Sequence, residues 1–482
     1  MLNGKVIFRI LGLLTFLLGI CMLLTVPVAA IYGDGDAMAL LTSSAIALVT
    51  GLLASIIFRS DREQIGKREG FMIVTLSWII FSVFGSLPFV LSGEIPSYTD
   101  AFFETMSGFT TTGASILTDI ESLPHGLLFW RSMTQWLGGM GIIVLSIAIL
   151  PFLKLGNIQL FVAEVPGPTP DKLRPRIKDT AKRLWAIYLI FTAAETIMLW
   201  AGEMNLFDAV CHSFTTMATG GYSTKNASIA AFNSPYTHYV ITGFMIIAGT
   251  NFTLAYLGFH GKFKKIIRNE EFVFYISVLL VATAIGGSVL YLHHDQPLEK
   301  SFRDSAFQVV SIVTTTGYAT VNYCLWEPFL ILFLFVLMFT GGSAGSTGGG
   351  IKMVRLLVLA KNSRQELRRL IHPNAVIPVR LNHRMVPQQI IYNVQAFMVF
   401  YLIITAFSAL VISVMGYDVV SSLSAVAATL GNIGPGMGAV GPAMNYAHFP
   451  VFGKWFLSFL MLLGRLELFT VLVLLQGAFY KS

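Results

Sequence analysis

The sequence predicts an all-α polytopic membrane protein: four pseudo-symmetric span–half-helix–span repeats preceded by two N-terminal spans. Three observations predict it. The 482-residue chain is 55% hydrophobic and only 12% charged, against roughly 25% charged in a soluble domain. Apolar runs of about 20 residues recur, the length an α-helix needs to cross a hydrocarbon core of roughly 30 Å. One further pattern, an Asp-led semi-apolar segment ending in a Thr/Asn-Gly turn, returns four times at intervals of roughly 100 residues. A β-barrel would alternate every second residue, and these runs do not.

The elements follow in order. Lys5 and Arg9 precede an apolar run, and Val28-Ala29-Ala30 resembles a leader cleavage site. The run from Ile10 to Ile31 is too long for a leader core and long enough to span, so a retained helix is expected. Spans are expected at 8–31, 37–58, 71–92, 127–151, 184–202, 237–259, 272–292, 389–415 and 450–478. The segments 326–340 and 351–370 are too short or too polar to cross alone, and read as two halves of one broken helix. The resulting divisions are 1–69 for the two extra N-terminal spans, then 70–180, 181–270, 271–385 and 386–482 for the repeats.

The net charge of +7 does not point to nucleic acid, because of where the charge lies. Most of the 32 Lys and Arg residues fall at 5–9, 59–68, 154–183, 262–268, 352–384 and 481. If the spans alternate, these all lie on one face, which is expected to be cytoplasmic together with both termini. The basic stretches 154–183 and 361–384 suit anionic membrane lipid or a protein partner. Cys21, Cys211 and Cys324 are too few and too scattered for a disulfide framework or a zinc site. His212, His293, His294 and His383 show no ligand spacing, so no transition metal is expected.

The four repeated segments are DAFFETMSGFTTTGAS, DAVCHSFTTMATGGYS, DSAFQVVSIVTTTGYA and DVVSSLSAVAATLGNIGPG. Each opens on an Asp (Asp100, Asp208, Asp304, Asp418), placed to cap the free N–H groups of a short helix. A helix this short cannot cross. It is expected to enter from outside and stop midway, aiming the negative end of its dipole at the membrane centre. The extended turn after it exposes backbone at a depth tolerated only inside protein or beside water. Four such turns around a central pore would form rings of carbonyl oxygens, replacing the hydration shell of a cation. Glycine is needed where the carbonyls must face one way.

TTTGYA resembles the potassium-channel filter signature TVGYG. The fourfold arrangement on one chain resembles the Trk/Ktr/HKT superfamily of potassium transporters, and the two extra spans with TTTGAS, ATGGYS and NIGPG resemble its bacterial Trk uptake subunits. The resemblance covers essentially the whole chain. It implies a potassium-selective filter at Thr111, Thr112, Gly113, Thr219, Gly220, Thr316, Gly317, Tyr318, Asn432, Ile433 and Gly434. A serine at the first filter glycine goes with sodium permeation in that superfamily, so four glycines imply potassium. In the fourth repeat Gly431 is an alternative to Gly434. The resemblance also implies a homodimer in the bacterial inner membrane and a cytosolic TrkA-like ring that binds the nucleotide. Potassium is the transported ion, and no cofactor is expected on this chain.

Two intramembrane features remain. Gly341-Gly342-Ser343-Ala344-Gly345-Ser346-Thr347-Gly348-Gly349-Gly350 lacks the Gly-Lys-Ser/Thr of a phosphate-binding loop and interrupts the third repeat's second span. It is either a linker or, as the resemblance implies, a gate below the filter. Arg465 lies mid-span, where an Arg costs at least roughly 2.5–3.5 kcal/mol. Glu467, two residues on, is not on its face of a regular helix, so Arg465 is expected to face the pore; the resemblance implies the same. Glu104, Asp119 and Glu121 suit either cation attraction at the outer mouth or ordinary solvation. Glu195 is expected to pair within the protein. Proton- or sodium-coupled symport is the alternative transport mode, and would need a buried carboxylate in the pathway. An intramembrane enzyme would need a nucleophile–base pair, and the spans offer none.

Overall fold

The computed structural model describes residues 2–59, 66–141, 177–372, 374–375 and 377–480. The end of the expected span 127–151, most of the basic loop 154–183, Arg62 and Lys481 lie outside the described residues. The expected all-α architecture is present. Among the described residues the only regular strands are Arg380–Leu381 and Arg384–Met385, one short antiparallel hairpin.

Gly4–Tyr32 is one 29-residue apolar stretch, interrupted after Leu23 where Pro27 begins a second helix, Val26–Tyr32. Ala37–Ile57 folds back on it. A Cβ on Gly51 would stand 2.7 Å from the Gly12 carbonyl, so small residues set this close approach, as in membrane helix pairs. Four long helices open the repeats: Lys67–Ser92, Ala181–Trp200, Glu270–His293 and Gln388–Val414. Leu280, Leu332 and Leu410 are more than 60% exposed, an outer apolar face suited to lipid.

The apolar core has two main parts. One joins the first and fourth repeats through Phe103, Trp130, Leu457 and Met461; the other joins the second and third through Tyr188, Ile241, Phe307 and Val313. The first half-helix contributes Phe103 to one core, and the third contributes Phe307 and Val313 to the other.

The expected break in the third repeat is found between Pro328–Leu337 and Met353–Ile371. Two spans expected to be continuous are broken as well. Pro235–Ala248 and Phe252–Phe259 meet at 105°, and Val451–Arg465 and Phe469–Leu475 at 111°. In the first pair Gly249 leads into Asn251, whose side chain accepts from Thr253 N at 2.8 Å and starts a new helix. In the second, Glu467 and Leu468 take left-handed backbone at φ +54° and +57°, which no continuing helix contains.

Candidate functional site

The half-helices are Tyr98–Phe109, Leu206–Met217, Leu298–Val313 and Val419–Leu430. Only Asp418 of the four aspartates is an N-cap, accepting from Ser421 N at 3.1 Å. Ser97 and Asn205 cap the first two, accepting from Asp100 N and Asp208 N. Asp100 and Asp208 sit in the first turn, still favourable to the positive dipole end. The third helix starts six residues before Asp304, so there the aspartate is not terminal.

The four turns superpose in backbone detail. One residue past each helix cap, the chain enters left-handed space: Thr111 at φ +52°, Thr219 at +54°, Thr315 at +61° and Asn432 at +54°. The next residue bonds back to its helix: Thr112 N to Ser107 O, Gly220 N to Thr215 O, Thr316 N to Ser311 O and Ile433 N to Ala428 O, each 2.8 Å. Then comes a positive-φ glycine: Gly113 at +83°, Gly221 at +75°, Gly317 at +81° and Gly434 at +96°. A β-branched residue in left-handed space is strained by roughly 1–3 kcal/mol. Three threonines at one equivalent position mark a conformation held by its surroundings.

This register corrects one assignment. The second repeat's counterpart of Gly113, Gly317 and Gly434 is Gly221; Gly220 holds the place of Thr112, Thr316 and Ile433. In the fourth repeat the glycine is Gly434, because Gly431 is the helix cap at φ −79°.

The turns form a closed ring. A Cβ on Gly113 would overlap the carbonyl oxygen of Gly220, on Gly221 that of Thr316, and on Gly317 that of Ile433. On Gly434 it would come 2.6 Å from the Thr112 carbonyl. Each glycine thus leaves room for a carbonyl of the next repeat, and the fourth closes on the first. Among the described residues nothing donates to the carbonyls of Thr112, Thr316 or Ile433, whereas Gly220 O accepts from Gln135 Nε2 at 2.7 Å. Tyr318 differs from the expectation: its carbonyl accepts from Ser311 Oγ at 2.7 Å, and its buried hydroxyl bonds Thr215 and donates to His212 O. It braces the ring from behind.

Glu104 is a brace too, not a vestibule charge. It is 1% exposed and accepts from Arg131 Nε at 2.7 Å, from Ser115 Oγ and from Ile116 N. Arg131 also donates to Ser223 O and covers the Tyr222 ring at 3.5 Å. Asp119 and Glu121 are exposed and tie the first repeat's return limb to Asn226 in the second. The Asn226 amide holds the Asp119 carboxyl below its ordinary range.

The loop 341–350 lies against the inner ends of the turns. Gly349 N donates to Thr315 Oγ1 at 2.7 Å, and Thr347 Oγ1 to Met217 O at 3.0 Å and near Thr219 Oγ1 at 3.3 Å. Ser343 N bonds Gly249 O at 2.8 Å. Arg465 Nη1 donates to Thr347 O and Nη2 to Gly138 O, both at 2.7 Å. The loop is therefore pinned between three repeats. Lys352, 2% exposed, holds Gly348 O. Glu467 pairs with Arg355 rather than Arg465, and Arg355 covers Phe397 at 4.1 Å. Glu195, expected to pair internally, is fully buried on Ala181–Trp200, and among the described residues neither carboxyl oxygen has a hydrogen-bond partner.

Thr315 and Gly221 lie in the quoted repeat segments but were not among the candidate site residues, and neither was Lys352. Gly221 had a signal: Gly221-Tyr222 repeats Gly317-Tyr318 and sets the register.

Comparison with known proteins shows the family and agrees with the fold. A model of the TrkH family, described as a cation transport protein, matches residues 37–479. The Trk system potassium uptake protein TrkH of Salmonella typhimurium is 44% identical over all of both chains. TrkI of Halomonas elongata is 38% identical over 99% of this chain and 97% of its own. The crystal structure of the potassium transporter TrkH from Vibrio parahaemolyticus superposes with a TM-score of 0.90 at 38% identity, covering all of both chains. The chain belongs to the TrkH family of cation transport proteins.

Proposed function

We propose that this protein takes up potassium through a channel-like pore on the axis of the four turns. The observation that carries the reading is the closed ring of glycine–carbonyl approaches, Gly113 to Gly220, Gly221 to Thr316, Gly317 to Ile433 and Gly434 to Thr112. The carbonyls of Thr112, Thr316 and Ile433, to which nothing donates among the described residues, offer a cation the oxygens it loses on leaving water. The C-terminal ends of the half-helices add partial negative charge around the same axis. Relatives named as potassium uptake proteins, at 40–44% identity, support potassium as the ion.

The loop 341–350 acts as the gate, held shut by Arg465 on Thr347 O. A cation fixed there repels an incoming ion: two unit charges 4 Å apart interact by about 4 kcal/mol at an effective dielectric constant of about 20. The four repeats are 70–180, 181–270, 271–385 and 386–482, after two extra helices in 1–69. The protein works as a homodimer in the inner membrane, with both termini cytoplasmic. A TrkA-like cytosolic subunit carries the regulatory nucleotide, and this chain carries no cofactor.

A second reading is proton-coupled symport, favoured by Glu195, a buried carboxyl whose oxygens accept no hydrogen bond among the described residues. Growth of a potassium-uptake-deficient host on limiting potassium tests the primary reading. The chain should restore growth and Gly317→Ser should fail to; equal growth with both would contradict the filter.

A further inference from the structure

We infer that Asn432 is a positioning residue that links the fourth turn to the gate loop and to the Arg465 helix, so that filter and gate move together. The inference rests on the gate reading above. At the position equivalent to Asn432 the other repeats carry Thr111, Thr219 and Thr315. Asparagine tolerates left-handed backbone better than threonine, which alone would explain its presence. Its side chain does more than that.

Asn432 is fully buried. Its Nδ2 donates to Thr112 Oγ1 and to Met461 O, both at 2.9 Å. Met461 O is a pure acceptor, so the atom facing it must be the amide nitrogen. Thr112 Oγ1 is itself 2.8 Å from Thr110 Oγ1. One amide therefore joins the first turn, the fourth turn and Val451–Arg465, four residues before the arginine. A threonine hydroxyl has one proton and cannot serve both acceptors.

The other end of the amide faces the gate. Asn432 Oδ1 is buried and has no hydrogen-bond partner among the described residues. A Cβ on Gly349 would stand 2.9 Å from it, and one on Gly464 2.7 Å. Both glycines also back onto carbonyls of the fourth half-helix's end, Gly431 and Leu430. The loop and the Arg465 helix thus each press on Asn432 at a residue without a side chain. If the loop withdraws, the contact on Oδ1 is lost; if the helix turns, the Met461 bond is strained and the pull reaches Thr112 in the ring.

The test is resting potassium flux and the potassium-to-sodium flux ratio in liposomes holding the full chain alone. The variants are Asn432→Thr, Thr112→Val and Arg465→Ala. Asn432→Thr should raise resting flux by roughly fivefold or more, with the ratio moving by less than about twofold. Thr112→Val, which removes the amide's acceptor and keeps the backbone carbonyl, should raise resting flux in the same direction. Monodisperse elution of each variant in detergent separates these effects from misfolding. If Arg465→Ala raises resting flux but Asn432→Thr and Thr112→Val leave it unchanged, the link is overturned and the gate stands. A lower flux ratio at unchanged resting flux makes Asn432 a filter residue only, and also overturns it. If Arg465→Ala itself leaves resting flux unchanged, the gate reading fails and takes this inference with it.

Discussion

Gly221 and Thr316 meet across the boundary between the second and third repeats: a side chain on Gly221 would overlap the Thr316 carbonyl oxygen. A side chain on the neighbouring Gly220 would first meet the carboxamide of Gln135, the end of a side chain and not a ring carbonyl. Two adjacent glycines thus have different tasks. Gly221→Ala should abolish the preference for potassium over sodium or block flux, because the alanine is strained at φ +75° and displaces a ring carbonyl. Gly220→Ala should cost less, since its φ is not positive and its methyl meets the end of a side chain, not backbone. Ion-flux ratios for the two variants check this, and a larger loss at Gly220 would put the register of the second turn in error.

The Glu104–Arg131 pair predicts a stability effect. Both side chains are at most 3% exposed, and removing one partner of a buried pair costs roughly 3–5 kcal/mol. Arg131→Ala and Glu104→Ala should each lower the melting temperature in detergent markedly. The double variant should lose less than the sum of the singles, since the second substitution removes a charge already unpaired. Additive losses would show that the two act independently.

Arg465 bridges two carbonyls, Thr347 and Gly138, with separate guanidinium nitrogens. Arg465→Ala, or a deletion within 341–350, should raise resting potassium flux by about tenfold or more. Arg465→Lys should fall between, because an ammonium is a compact charge without the fork that spans both acceptors. Unchanged resting flux in both Arg465→Ala and the loop deletion would remove the gate.

Glu195 separates the two transport modes. Glu195→Gln keeps the shape and removes the titratable group. Under the channel-like reading, potassium uptake should keep its dependence on external pH. A flattened pH profile would instead favour proton coupling.

Much of this was legible in the sequence because hydropathy reports burial directly. Runs near 20 residues marked the long helices, and TTTGYA marked the third turn. The glycine-rich run 341–350 marked the break in the third repeat, since ten small residues cannot continue an apolar helix. Other features depend on backbone angles that composition does not report. Ala218-Thr219-Gly220-Gly221 offers two glycines, and the positive φ at Gly221 selects the register in which Gly221-Tyr222 matches Gly317-Tyr318. The breaks at Gly249 and Glu467 sit inside strongly apolar runs, where averaging hides one or two polar residues. Glu104 read as either a mouth charge or a solvated one, because its partner, Arg131, lies on the next helix. Asn432 read only as a filter residue, and the two bonds its amide donates do not show in the sequence.

The most direct test of the central claim is ion uptake by liposomes containing the purified full chain. An outward-negative or inward-negative potential is set independently of proton and sodium gradients, and potassium, rubidium and sodium fluxes are compared. The account predicts potassium flux that follows its own electrochemical gradient in both directions, exceeds sodium flux, and persists without a proton or sodium gradient. Flux that requires either gradient, or sodium flux equal to potassium flux, would contradict it.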